Sequence, residues 1–174
     1  MAYIRGQGFI TIEYDCWASM RKHLLLVSTV VINDNLQLLI SRRNDDVEAL
    51  AGHWQFPGGK VEDNEECSAA ALRELKEETG IEIFDKLFHW KHFHFNSSTY
   101  EGIDIFLVYT TQGSRHMEKE KNSEWIFVPL HELQSYSPLC PSIYTAIDAG
   151  LNDCIVTNSC YNVLNSGELV SLGE

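Results

Sequence analysis

Glu74, Glu77 and Glu78 lie three and four positions apart within GGKVEDNEECSAAALRELKEETGI, residues 58–81. On a helix these three carboxylates fill a stripe roughly 100° wide and can converge on one point. Like charges at such spacings destabilise a helix by about 0.2–0.5 kcal/mol per pair, and surface helices usually relieve this by alternating sign. A solvated charged face is the plainer reading, and Arg73 to Glu77 is a supportive i,i+4 pair. Yet Glu78 sits at i+4 from Glu74, where a lysine would stabilise. A hard divalent cation such as Mg²⁺ turns the repulsion into coordination: it takes carboxylate oxygens, keeps several waters and leaves room for phosphates. With a Gly-Gly turn and Lys60 just ahead, the cluster suits attack by water on a phosphoanhydride. There the metal screens the phosphate oxygens and lowers the pKa of the nucleophile.

Such a cluster needs a helix held against a sheet. The helix is expected from about Glu66 to Thr79, with Asp63 and Glu66 at capping-box spacing and Gly80 as a left-handed stop. Ser68, Leu72, Leu75 and Thr79 would form its packed face, turning the three glutamates mostly the other way. Upstream, LLLVSTVVI (24–32) and LQLLISR (36–42) read as a hairpin around Asn33-Asp34-Asn35. A loop at 44–53 leads to a short extended piece, Trp54-Gln55-Phe56. It enters Pro57-Gly58-Gly59, where glycine lets backbone pass close to something else. Downstream, IEIFDKLFHWKHFHF and GIDIFLVYTT should pair antiparallel across Asn96-Ser97-Ser98, followed by a strand in WIFVPL and a closing helix at about 142–151. Strands on both sides of one central helix predict an α+β sandwich, a mixed sheet between helices.

A chain of 174 residues, 44% hydrophobic and 22% charged, is long enough for one domain with a real core. Its formal charge of −12 argues against a nucleic-acid polymer as partner, because that binding needs Lys and Arg to displace counterions. No apolar run reaches the length of a membrane span, and MAYIRGQGFITIEYD lacks the apolar core of a signal peptide, so the expected address is cytoplasmic. Cys16, Cys67, Cys140, Cys154 and Cys160 show no tight metal or redox spacing and read as free thiols, with a Cys154–Cys160 disulfide as the alternative.

Gly59, Glu65, Arg73, Glu74, Leu75, Glu77, Glu78, Gly80 and Ile81 resemble the Nudix box, G-x5-E-x7-R-E-U-x-E-E-x-G-U with U aliphatic, at every defined position. HWQFPGGKVE and EKNSEWIFVPLHEL look like the flanks of this box in MutT-type members. The resemblance covers about residues 23–151, leaving an N-terminal extension at 1–22 and a tail at 152–174. It implies a Nudix-type α/β/α sandwich with Mg²⁺, or Mn²⁺, held by Glu74, Glu77, Glu78 and the carbonyl of Gly58. Arg73 would orient Glu74, Glu65 would pair near Arg73, and Gly59 and Gly80 would shape the motif. Among the acids of the loop before Trp125, Glu120 is the expected ligand or base, ahead of Glu118 and Glu124. Asn64 stands where many members have glycine; because asparagine tolerates the left-handed conformation, the loop should survive.

The implied activity is cleavage of a nucleoside triphosphate, or a modified deoxynucleoside triphosphate, to the monophosphate and pyrophosphate. Alternatives are a nucleotide-sugar or dinucleoside-polyphosphate hydrolase, or a sensor that binds a nucleotide without cleaving it. The partner is a small nucleotide, and the oligomeric state is left open, a homodimer included. Arg42 and Lys60 are candidate phosphate contacts, with Arg42 and Arg43 as a solvated basic pair the alternative for the former, and Trp54 is a candidate base-stacking residue, against a core aromatic. His89, His92 and His94 fit no standard zinc spacing and read as sheet-surface or substrate-lining residues rather than a second metal site.

Overall fold

The computed structural model describes residues 24–83, 87–114 and 118–156. The expected N-terminal extension at 1–22, the tail beyond 156, Cys16 and Cys160 lie outside them.

Strand β1 (Leu24–Ile32) is the spine of the fold. It pairs in parallel with β6 (Tyr100–Tyr109) along its whole length and antiparallel with β4 (Gly58–Lys60) at its first half. Lying between neighbours and under helices, it buries Val27 through Ile32 without interruption, which is why its sequence shows no polar alternation. The remaining strands are β2 (Gln37–Arg42), β3 (Trp54–Gln55), β5 (Phe88–His94) and β7 (Ile126–Pro129). The sheet runs β3-β2-β1-β6-β5, with β4 on β1 and β7 on β2.

The two faces carry different helices. Val27 and Val31 face the side covered by α1 (Cys67–Thr79), packing with Ala70, Ala71 and Leu75. Val30 and Ile32 face the other side with Ile143 and Ala146 of α2 (Pro141–Asp148) and Leu151 and Ile155 of α3 (Leu151–Val156). This is the expected α+β sandwich, with a mixed sheet between helices. Among the described residues no helix is long and apolar enough to cross a membrane.

Four local expectations are corrected. The 24–32/36–42 pair closes its turn as a hairpin, Asn33 Oδ1 accepting from the N–H groups of Asn35 and Gln37 at 3.0 Å each. However, its strands register only at Ile32 and Leu38 before diverging, because β2 is taken up by β3 and β7. The residue preceding α1 is Glu66 rather than Asp63, with no side-chain cap bond at that position, while Gly80 ends the helix at φ 69° as expected. The closing helix is two helices, α2 and α3, and the second runs to Val156 with Leu151 and Ile155 fully buried. Cys67 and Cys140 are free, but Cys154 is disulfide-bonded, not a free thiol.

Candidate active site

The buried stripe of α1 runs through Ala71, Leu75 and Glu78, with Ala70 and Thr79 beside it. Ser68 is exposed and Leu72 half-buried, so the packed face is rotated from the expected one. One of the three glutamates therefore belongs to the packed face, and Glu78 is only 4% exposed.

Strand β4 explains how a carboxylate is tolerated there. The N–H of Gly58 donates to Glu78 Oε2 at 2.9 Å. Gly58 has φ 155°, and a Cβ on it would lie 2.2 Å from the carbonyl oxygen of Val27, so only glycine lets β4 approach β1 this closely. At Gly59 a Cβ would meet Glu74 Oε1 at 2.4 Å, so the missing side chain is the space that Glu74 fills. Burial pushes the Glu78 carboxyl up to about 8; the Gly58 N–H opposes this, and the charges of Glu74 and Glu118 add to it. Glu74 is also raised by burial, against its bond to Arg73 and with the charges of Glu77 and Glu118.

Arg73 ties the acidic face to the preceding loop. Its guanidinium donates to both oxygens of Glu65 at 2.9 Å, to Glu74 Oε1 at 2.8 Å, to Glu77 Oε2 at 3.3 Å and to the carbonyl of Lys60 at 3.1 Å. Glu65 accepts the Glu62 N–H as well, and these bonds, Arg73's foremost, hold its carboxyl down to about 2. Asn64, the departure from the glycine common at this position, takes the left-handed conformation at φ 63°, so the loop survives as expected.

The loop before Trp125 brings Glu118 near the carboxyls of Glu74 and Glu78. The charge of Glu118 raises both Glu74 and Glu78, whereas the Glu120 side chain is exposed. Glu118 accepts from Lys121 at 2.6 Å, and its carbonyl receives the Asn122 N–H at 3.1 Å. This turn is pinned to the end of β2: Ser41 Oγ donates to the Ser123 carbonyl at 2.7 Å, and the Ser123 N–H to the Arg42 carbonyl at 2.8 Å. Asn122, 1% exposed, donates to Glu78 Oε1 at 3.5 Å and accepts from Gln55 at 3.0 Å. Sequence reading missed Asn122 and Gln55, because their contacts depend on the pairing of β2 with residues some 80 positions downstream, for which no local pattern exists.

The other candidates are placed as follows. Arg42 is turned to Asp45 at 2.7 Å, and Lys60 has an exposed side chain. Trp54 is half-buried, edge-on to Tyr136 at 4.9 Å, while Trp125 is core. His89 and His92 both bond Asp104 Oδ1, at 2.6 and 3.2 Å. An irregularity between His89 and Lys91 brings these two to one face, although their odd spacing would separate them on a regular strand.

Among the described residues no three His, Cys, Asp or Glu side chains already stand together as a metal-ligand set. Arg73 instead shares its charge between Glu74 and Glu77. The donors are nonetheless of the kind a hard divalent cation takes, all carboxylate or carbonyl oxygens. Two carboxyls raised by burial and by neighbouring acidic groups are ones whose ionisation such a cation would favour.

A family model described as the NUDIX domain matches residues 22–148. An 8-oxo-dGTP diphosphatase of Proteus vulgaris is 40% identical over 63 residues, 36% of this chain and 55% of that protein. An RNA pyrophosphohydrolase of Novosphingobium aromaticivorans is 44% identical over 55 residues, 32% of this chain and 33% of that protein. The chain thus spans between a third and little more than half of these two curated relatives. The crystal structure of a MutT NUDIX hydrolase from Burkholderia pseudomallei shares the fold, with a TM-score of 0.63 at 21% identity, covering 73% of this chain and 97% of that one. With the box at residues 59–81 intact and a family match across most of its length, this chain belongs to the Nudix family.

Proposed function

We propose that the protein is a Mg²⁺-dependent hydrolase that cleaves a nucleoside triphosphate, or a modified deoxynucleoside triphosphate, to the monophosphate and pyrophosphate. The observation that carries this is the buried Glu78 carboxylate, bonded to Gly58 and flanked by Glu74, with Glu77 on the open side of the same helix and Glu118 facing them. Glu74, Glu77, Glu78 and the Gly58 carbonyl are the groups that would hold the cation, with Mn²⁺ able to replace Mg²⁺. When bound, such a cation supplies charge screening of phosphate oxygens and a more acidic water.

The remaining roles fall to the chain's own groups. Glu77, 54% exposed on its side chain, has room to accept a proton from the attacking water, and Glu118 takes the place expected for Glu120 as the acid of the facing loop. Arg73, itself fixed by Glu65, orients Glu74 and Glu77. Lys60 is open to solvent and suits phosphate, while the Trp54–Tyr136 pair offers aromatic surface to a base. Arg42 would reach a phosphate only by leaving Asp45. A cytoplasmic pool of small nucleotides fits the charge of −12, which disfavours a polymer.

The relatives' names span an 8-oxo-dGTP diphosphatase and an RNA pyrophosphohydrolase, so products decide the substrate. A panel of dNTPs, NTPs, 8-oxo-dGTP, ADP-ribose, nucleotide sugars and diadenosine polyphosphates, each with Mg²⁺ and with EDTA, should yield metal-dependent monophosphate and pyrophosphate from a triphosphate. Cleavage confined to nucleotide sugars or dinucleoside polyphosphates would overturn the substrate class. Binding without cleavage throughout would replace the hydrolase with a sensor.

A further inference from the structure

We infer that Asn122 is a positioning residue for Glu78, held in a single amide orientation by a relay that begins at Arg43 and passes through Gln55. This deepens the proposed function and rests on it, since the group positioned is one of the proposed cation ligands.

The relay's polarity is fixed at its Arg43 end. Arg43 is only a donor, and its Nη1 bonds Gln55 Oε1 at 2.9 Å. The carbonyl of the Gln55 amide is thereby committed to Arg43, and its NH₂ must face Asn122, where Nε2 meets Oδ1 at 3.0 Å. The carbonyl of Asn122 is committed in turn, so its NH₂ faces Glu78 Oε1 at 3.5 Å. The last member is a carboxylate, an acceptor when ionised. Reversing Gln55 would set its NH₂ against the guanidinium, and reversing Asn122 alone would set its NH₂ against that of Gln55.

Gln55 and Asn122 are 8% and 1% exposed, so water has little access to satisfy a reversed amide. Chains of hydrogen bonds in such surroundings polarise one another, and this one starts from a cation. Glu78 is consequently contacted on both oxygens, by the Gly58 N–H at 2.9 Å and at longer range by Asn122 at 3.5 Å. Its carboxylate plane is set before any cation arrives. Asn122 also belongs to the turn that carries Glu118, so the same residue couples the two sides of the site.

Gln55→Glu tests the relay, because it keeps the shape and reverses the polarity. A carboxylate at 55 still accepts from Arg43 but no longer donates to Asn122, which must turn its NH₂ toward residue 55 and its carbonyl toward Glu78. The added negative charge would by itself attract a cation. The readout is Mn²⁺ binding to the folded protein, followed by the EPR signal of free Mn²⁺, with folding checked by circular dichroism and thermal melting. Loss of such supporting contacts typically weakens metal affinity by about 10–100-fold. Gln55→Glu and Asn122→Leu should both bind Mn²⁺ at least about tenfold more weakly than wild type. Ser41→Ala, which removes a tie of the same turn to β2 without touching the amides, should bind as wild type does.

Wild-type or tighter binding in folded Gln55→Glu overturns the relay, as does equal weakening in Ser41→Ala. Should Asn122→Leu fail to fold, Gln55→Glu decides. A wild-type protein that binds no Mn²⁺ overturns the relay together with the proposed function, whereas wild-type binding that survives Gln55→Glu overturns the relay alone.

Discussion

At the scale of single residues, the site is a contest between burial and charge on Glu78. Its carboxyl is pushed up to about 8 mainly by burial, against an ordinary value of 4.5. Between those two pH values the native chain keeps a proton that the unfolded chain has released, so native stability falls as pH rises through the window, by at most about 1.4 kcal/mol per pH unit. A divalent cation binds the ionised form and restores what is lost. The rise in melting temperature on adding Mg²⁺ should therefore be larger at pH 8 than at pH 5.5; an equal or smaller rise at pH 8 would contradict this picture of Glu78. Glu65 behaves oppositely. Held down to about 2 by Arg73, it contributes stability above its ordinary pKa that is lost only as pH falls toward 2. That Arg73, Glu74, Glu77 and Glu78 share one helix was legible in the sequence, because spacing along a helix is a local property. That Glu78 faces inward was not, because it depends on where the Gly58 N–H comes to lie.

At the scale of elements, β4 and α1 form the working unit, and small residues set their separation: Gly58 against β1, Gly59 against Glu74, Ala70 and Ala71 under the helix. The helix, its left-handed stop and most strands were legible from periodicity and glycine placement. The partners of β2 were not, since pairing with β7 joins residues about 90 apart and leaves no trace in local pattern. The expected boundary after Leu151 likewise missed α3, whose six residues bury only Leu151 and Ile155 in a stretch of mixed polarity. Both are fully buried against the sheet face opposite α1. Ile155→Ala should cost about 2–5 kcal/mol in denaturant unfolding, the usual loss for a large-to-small change at a packed site. A loss below about 1 kcal/mol would mean that α3 adds little to the core.

At the scale of the whole molecule, a mixed sheet packed on both faces carries one acidic helix, with Glu118 of the loop before Trp125 near its Glu74 and Glu78. The formal charge of −12 suits a small nucleotide brought in through a cation more than a polyanionic strand bound through basic side chains. The measurement that bears most directly on the central claim compares steady-state turnover of the best panel substrate by wild type and by Glu77→Gln, each with Mg²⁺ and with EDTA. Glu77 is half-exposed, so its amide should leave the melting temperature near that of wild type. The account predicts turnover that EDTA abolishes and that falls by about 10²–10⁴-fold in Glu77→Gln. Turnover indifferent to EDTA, or near-normal in the folded variant, would contradict it.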